Sequence, residues 1–274
     1  MTIKFIIDLI NNMSDNQKLY LKVLNETKKH YDLEYVKGLN KLDKPFEYEG
    51  SCVKGGLYFS DIHNIVGFIR GGHSICIVHL PTNDPEFVMV KDPDTGFTKW
   101  RANKFILDKE YYLSDVSTYE FLISQGMDIT QYNNLLFRYA CEKGYLNVVK
   151  FLIAKGSNIQ DYDNEAIQLA SRNGHFNVVT FLVKNKANVT ANNNYAIQMA
   201  CKYGHHKIAK FLISQGANPM ANRYYPIEIA TQNHDIEMVK LLLTIDKTMV
   251  YKSMALDIAM NLDYWELFLI LMLY

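Results

Sequence analysis

The chain has 274 residues, 49% hydrophobic and 21% charged, with 29 basic and 29 acidic side chains. At about 150 residues per domain that length makes one or two domains, and the composition excludes a disordered or collagen-like chain. Fifteen residues of each sign precede residue 114 and 14 of each follow, so neither part carries the basic excess left by nucleic-acid binding or a polybasic membrane anchor.

Neither a targeting signal nor a membrane span is expected. The opening apolar stretch is broken by Asp8 and has no small-residue cleavage site. The longest apolar run, Leu267 to Tyr274, falls far short of the ~20 residues a span needs. Cys52, Cys76, Cys141 and Cys201 are scattered with no CxxC pair, which predicts reduced thiols in a cytoplasmic protein.

Residues 1–113 carry no period and predict a small α+β domain. Helices are expected near 16–27 and 61–69. Extended runs are expected at 56–60, 74–80, 86–90, 97–100 and 104–107, with Asp92-Pro93-Asp94-Thr95-Gly96 as a hairpin turn. That turn has the acidic spacing of a calcium loop, but its twelfth position is Asn103 in place of Glu. His73, Cys76 and His79 have metal-like spacing. On a strand, though, Cys76 points away from both histidines, and a fourth ligand is missing. The pairs Gly55-Gly56 and Gly71-Gly72 match no phosphate loop. No metal or cofactor is expected.

One run in this part has a second reading. Gly55-Gly56-Leu57-Tyr58-Phe59-Ser60 resembles the Gly-x-Tyr-Phe strand of ADP-ribosyltransferases. The resemblance implies that Tyr58 would stack on nicotinamide and His30 would hold the ribose, with Glu86 or Glu110 as the polarising carboxylate. The chain departs from that family at Tyr31-Asp32, where Gly-Ser/Thr follows the histidine, and in the short spacing from His30 to Gly38. The alternative is a buried strand tyrosine after a glycine turn, with no catalytic residue.

From residue 114 the chain repeats every 30 residues. Ala140, Ala170, Ala200 and Ala230 keep that interval, as do Gly144, Gly174 and Gly204, the Phe-Leu pairs at 151, 181 and 211, and Asn158, Asn188 and Asn218. A fixed period of this size means stacked supersecondary units. In residues 164–187, Ile167, Leu169 and Ala170 give a first helix one apolar side, which Asn164 can cap and Gly174 ends. Val178, Val179, Leu182 and Val183 form the buried stripe of a second helix. Lys186 stands where neighbouring units have Gly156 and Gly216. The alanines are small because two helices meet there.

These units resemble the ankyrin repeat. Its Thr-Pro-Leu-His-x-Ala opening corresponds to residues 165–170, 195–200 and, most closely, Tyr225-Pro226-Ile227-Glu228-Ile229-Ala230. Its Gly-His pair corresponds to Gly174-His175 and Gly204-His205, with Gly144-Tyr145 as a variant. The missing Thr and His, and a period of 30 against about 33, imply a shortened finger between units. The expected fold is mainly α: a solenoid of helix-turn-helix units over 114–274, preceded by the α+β domain of 1–113. A degenerate unit covers 114–130, units follow at 131–160, 161–190, 191–220 and 221–250, and a C-terminal unit covers 251–274. That last unit lacks the polar outer face of a terminal repeat, so its final helix either packs against something or belongs to a shortened relative of a longer array.

Phrases such as Gly50-Ser51-Cys52-Val53 and Trp100-Arg101-Ala102-Asn103-Lys104 resemble the segment preceding ankyrin repeats in proteins of giant amoeba-infecting viruses of the mimivirus type. The resemblance implies a non-enzymatic interaction module in the host cytoplasm, a monomer binding a host or viral protein rather than nucleic acid or membrane. Exposed finger and first-helix positions would make the contacts: Tyr132, Tyr162, Asn192, Arg223, Tyr224, Gln168 and Gln198, in a face rich in the residue types that dominate interface energy.

Overall fold

The computed structural model describes residues 18–93, 96–245 and 249–273, except the side chain of Arg223. The chain divides into two compact units, Met1–Ile129 and Thr130–Tyr274.

The first unit is built on strands. Tyr20–Leu24 (β1), Gly38–Lys41 (β4), Leu57–Asp61 (β5), Ser74–His79 (β6), Met89–Lys91 (β7), Trp100–Ala102 (β8) and Lys104–Tyr112 (β9) form one antiparallel sheet in the order β4-β9-β6-β1-β5-β8-β7. Lys29–His30 (β2) and Leu33–Glu34 (β3) make a separate small ribbon. Residues 20–24 overturn the helix expected over 16–27, of which 16 and 17 lie outside the described residues. The run Tyr20-Leu21-Lys22-Val23-Leu24 serves a central strand with both faces covered, where alternation of polarity is lost and the helical and strand periods look alike. The helix expected at 61–69 is a 3-10 helix, Ile65–Gly71. β7 and β8 pair across the expected hairpin turn, whose residues 94 and 95 lie outside the described residues.

An aromatic core holds the sheet. Tyr20, Tyr35, Phe59, Trp100 and Phe105 pack with Leu24, Leu57 and Leu107. Edge-on contacts join Tyr20 to Phe59 at 5.2 Å and to Trp100 at 5.4 Å, a preferred geometry for rings. The helix Val116–Ser124 (α1) lies with this unit: Phe121 stacks on Tyr111 of β9 at 4.2 Å, and the Tyr119 hydroxyl donates to the Leu113 carbonyl at 2.9 Å. Period and packing therefore part over 114–129. The sequence there is repeat-like, but it belongs to the first compact unit.

The second unit is a stack of helical hairpins. First helices run Gln131–Lys143 (α2), Asp161–Arg172 (α4), Ala191–Lys202 (α6), Ala221–Gln232 (α8) and Val250–Asn261 (α10). Second helices run Leu146–Ala154 (α3), Phe176–Lys184 (α5), His206–Ser214 (α7), Ile236–Leu243 (α9) and Trp265–Leu273 (α11). Each first helix packs on the first helix of the next unit. Ala140, Ala170, Ala200 and Ala230 are each 0% exposed at the same place in successive first helices, as their 30-residue spacing requires. Lys186 does take the left-handed backbone of its glycine counterparts, with φ 70°.

The units are also interlocked by polar bonds. His175 bonds through Nε2 to the Glu142 carbonyl at 2.8 Å, and His205 to the Arg172 carbonyl at 2.9 Å. Asn233 donates to the Lys202 carbonyl at 2.8 Å and Tyr264 to that of Gln232 at 3.3 Å. Each bond satisfies a carbonyl at the end of the previous first helix, where the helix itself offers no donor. On α11, Trp265, Leu269 and Met272 are exposed. No helix among the described residues is long and apolar enough to cross a membrane.

Candidate functional site: the finger face of the repeat array

Each finger is a left-handed turn. Residues 132–134, 162–164 and 192–194 all have φ between 48° and 64°, and Asn222 and Tyr224 follow suit at 54° and 66°. A backbone bond closes each turn: the N–H of Asn134, Asn164, Asn194 and Tyr224 donates to the carbonyl four residues earlier, at 3.1, 3.1, 3.0 and 3.4 Å. Asn and Asp tolerate this geometry better than other residues with a Cβ, which accounts for the runs Tyr-Asn-Asn, Tyr-Asp-Asn and Asn-Asn-Asn. Three left-handed residues thus take the place of a longer finger, and the repeat closes in 30.

Gln168 and Gln198 have a different place from the one expected. They are 6% and 3% exposed, and so are withdrawn from the outer surface. Gln168 donates to the Asp163 carbonyl at 2.6 Å and Gln198 to the Asn193 carbonyl at 2.7 Å. Arg138, one period earlier, donates to the Asn133 carbonyl at 3.1 Å. One long donor per unit therefore reaches five residues back and clamps the second finger carbonyl. In the fourth unit of the stack this place is Glu228, an acceptor, which pairs instead with Gln232.

The third finger residue ties the two ends of its unit together. Asn164 Oδ1 accepts from the N–H of Asn188 and Asn194 Oδ1 from that of Asn218, both at 2.7 Å. Asn164 does not cap its own helix, as the sequence suggested; its oxygen serves Asn188, at the far end of the same unit. Asn188 and Asn218 in turn accept from Thr190 and Met220 at 2.9 Å, closing tight Asx turns. Tyr224 departs from the asparagine pattern. It is half-buried and meets the Tyr251 ring edge-on at 5.7 Å, so it too is drawn inward.

What remains outside is a row of first and second finger residues. Tyr132 is 44% and Tyr162 59% exposed, and Asn192, Asn193 and Asn222 are exposed. The Arg138 guanidinium lies 4.7 Å from the Tyr162 ring centre and pairs with Glu165. The side chain of Arg223 lies outside the described residues. The face is aromatic at one end and amide-rich at the other. The signal that would have separated outer from inner residues was the asparagine recurring at 134, 164 and 194.

The structure brings His30 and Tyr58 together, their ring centres 5.9 Å apart on one cleft. Tyr58 is 8% exposed and its hydroxyl donates to the Val53 carbonyl at 2.8 Å. Desolvation, followed by the positive charges of Lys22 and Lys99, lowers the His30 pKa to about 4. Neither glutamate joins them. Glu110 accepts from Lys28 at 2.7 Å and Ser74 at 2.6 Å, and Glu86 accepts from Lys104 at 3.3 Å. The metal-like run is also dispersed: Cys76 is buried, while His79 pairs with Asp108 at 3.2 Å. Among the described residues no cluster is arranged to hold a metal.

A family model described as ankyrin repeats, in three copies, matches residues 112–193 and 188–251, together just over half of the chain. The chain is similar to three mimivirus proteins named as ankyrin repeat proteins, all from Acanthamoeba polyphaga mimivirus. The first is 48% identical over 155 residues, 53% of this chain and 50% of that one. The second is 40% identical over 129 residues, 46% of this chain and 21% of that one. The third is 36% identical over 135 residues, 48% of this chain and 65% of that one. The chain thus spans half or less of the length of the first two relatives.

Proposed function

We propose, from the premise that this chain belongs to the ankyrin repeat family, that its second unit is a non-enzymatic module binding a host or viral protein through the outward finger row. The observation that carries this reading is the double tethering of the fingers at 132–134, 162–164 and 192–194. A closing backbone bond holds the third finger N–H and a side-chain clamp holds the second finger carbonyl. The exposed side chains can then be spent on a partner, and little entropy remains to be lost on binding. Tyr132 and Tyr162 are the anchors: large, rigid and amphipathic. Asn192, Asn193 and Asn222 supply amide groups for an extended peptide or loop lying across the fingers. Arg223 belongs to the same sequence row. The site of action is the cytoplasm of the infected cell, by analogy with a viral setting for the relatives.

The test is capture from infected amoebae with the full chain and a Tyr132→Ala/Tyr162→Ala pair. Hot-spot tyrosines contribute about 2 kcal/mol or more each, so recovery of a specific partner should fall at least about tenfold at an unchanged melting temperature. Equal recovery by the variant removes this face from consideration.

A second reading, transferase chemistry in the first unit, finds the histidine and tyrosine side by side but no carboxylate among the described residues lining their cleft. No observation favours it over binding.

A further inference from the structure

The first unit contains a cleft that the finger face does not use. β1 and β5 pair only at Tyr20 with Asp61 and Leu21 with Ser60. Beyond that point they part, while β1 stays paired with β6 as far as Leu24. The gap opens a cavity of about 390 Å³, within the ~300–1,000 Å³ range of small-molecule pockets. Its walls include Lys22, His30, Tyr31, Tyr35, Tyr58 and Lys99, and no carboxylate among the described residues lines it.

Lys22 is the anomaly. It shares a face of β1 with Tyr20 and Leu24, both members of the aromatic core, and is 7% exposed. Its ammonium lies 4.5 Å from the centre of the Tyr35 ring. The other cationic side chains of the cleft have partners: Lys28 with Glu110 at 2.7 Å, Lys29 with Glu34 at 3.3 Å, Lys99 with Asp92 at 3.7 Å. No carboxylate among the described residues pairs with Lys22. A buried ammonium without a counter-charge is expensive, and one tyrosine ring offsets only part of that cost.

We propose that the split between β1 and β5 is a binding site for a small anion carried on a planar ring, an aryl phosphate or aryl carboxylate, with Lys22 as its counter-ion. The anion supplies the charge that the sheet withholds from Lys22. Tyr35 and Tyr58 line the cavity beside it, and the nearby Lys99 adds positive potential. The groups facing Lys22 fit this role. Cys76 stands opposite it on β6, Tyr35 lies under its ammonium, and His30 lines the same cavity. Burial draws the Lys22 amine down to about 7, and burial, followed by the charges of Lys22 and Lys99, depresses His30; an anion would oppose both shifts. The site is independent of the finger face.

Calorimetry on the full chain at neutral pH tests it, with phenyl phosphate, benzoate and inorganic phosphate as probes and Lys22→Met and Lys54→Met as variants. One aryl anion should bind per chain. Inorganic phosphate should bind about tenfold or more weakly for want of a ring, and Lys22→Met should lose at least about tenfold in affinity. Lys54→Met, altered at an exposed lysine outside this cleft, should match the wild type. Which aryl anion binds more tightly distinguishes a phosphate from a carboxylate ligand. A second measurement needs no variant: the bound anion should slow reductive methylation of Lys22, read by peptide mass, and leave Lys54 unaffected. Absence of binding by both aryl anions, equal affinity in Lys22→Met, or unchanged methylation of Lys22 would overturn the proposal.

Discussion

Gly174 meets two demands at once. Its φ is +80°, and a Cβ there would come within 2.7 Å of the His205 ring, the ring that bonds back to Arg172. Alanine would strain the backbone and push the histidine off its carbonyl. Gly174→Ala should therefore cost about 2–3 kcal/mol, from roughly 1–2 for the left-handed residue and ~1 for the lost bond, read by urea denaturation. Lys22 makes a prediction of a different kind. Its folded pKa, about 7, lies below the ordinary 10.5. Between those values the unfolded chain binds more protons, so this group makes stability rise with pH and weigh most heavily against folding below pH 7. Denaturation followed by Trp100 in a Trp265→Phe background should show the first unit gaining stability between about pH 7 and about pH 9, a gain that Lys22→Met abolishes. A flat profile would mean that the amine is solvated. Neither residue's task could be read from the sequence. Gly174 was recognisable as a helix stop but not as the seat of a ring, and Lys22 lay in a run whose period did not separate strand from helix.

At the scale of the element, the left-handed finger is what distinguishes these units. Asparagine at its centre is a compromise between the glycine that the backbone prefers and a side chain that can hydrogen-bond. Asn193→Gly should stay within about 0.5 kcal/mol of the wild type, whereas the β-branched Asn193→Val should lose about 1–2 kcal/mol. Gln198→Ala should cost about 1–2 kcal/mol, because the Asn193 carbonyl loses its clamp in a half-buried setting. Thermal melts of the three variants side by side check the order. The sequence did announce that the finger is short, since the period is 30. It hid how the shortening is achieved, because a run of Tyr and Asn reads equally well as an ordinary polar turn. That ambiguity also placed Gln168 and Gln198 outside: a glutamine on a helix face is usually solvated, and only the nearby finger carbonyl turns it inward.

For the molecule as a whole, legibility follows from how far apart the deciding contacts lie. In the repeats nearly every contact is made within a unit or one period away, so the period alone located the helices and the buried alanines. In the first unit the sheet joins β4 to β9 and β1 to β5 across long stretches of chain, and no local pattern records those pairings. The two tryptophans divide the same way, Trp100 in the first unit and Trp265 in the second. Asn193→Val should accordingly shift the unfolding midpoint seen by Trp265 and leave that seen by Trp100 in place. Coincident shifts at both probes would indicate one cooperative block.

The handshake from His175 to the Glu142 carbonyl is duplicated from His205 to the Arg172 carbonyl. A unit so joined offers its successor the same plug that it received from its predecessor. Copying or excising thirty codons between such joints would leave matching ends on both sides, so array length can drift by whole units at little folding cost. Selection is then free to act on the few outward letters that each added finger displays.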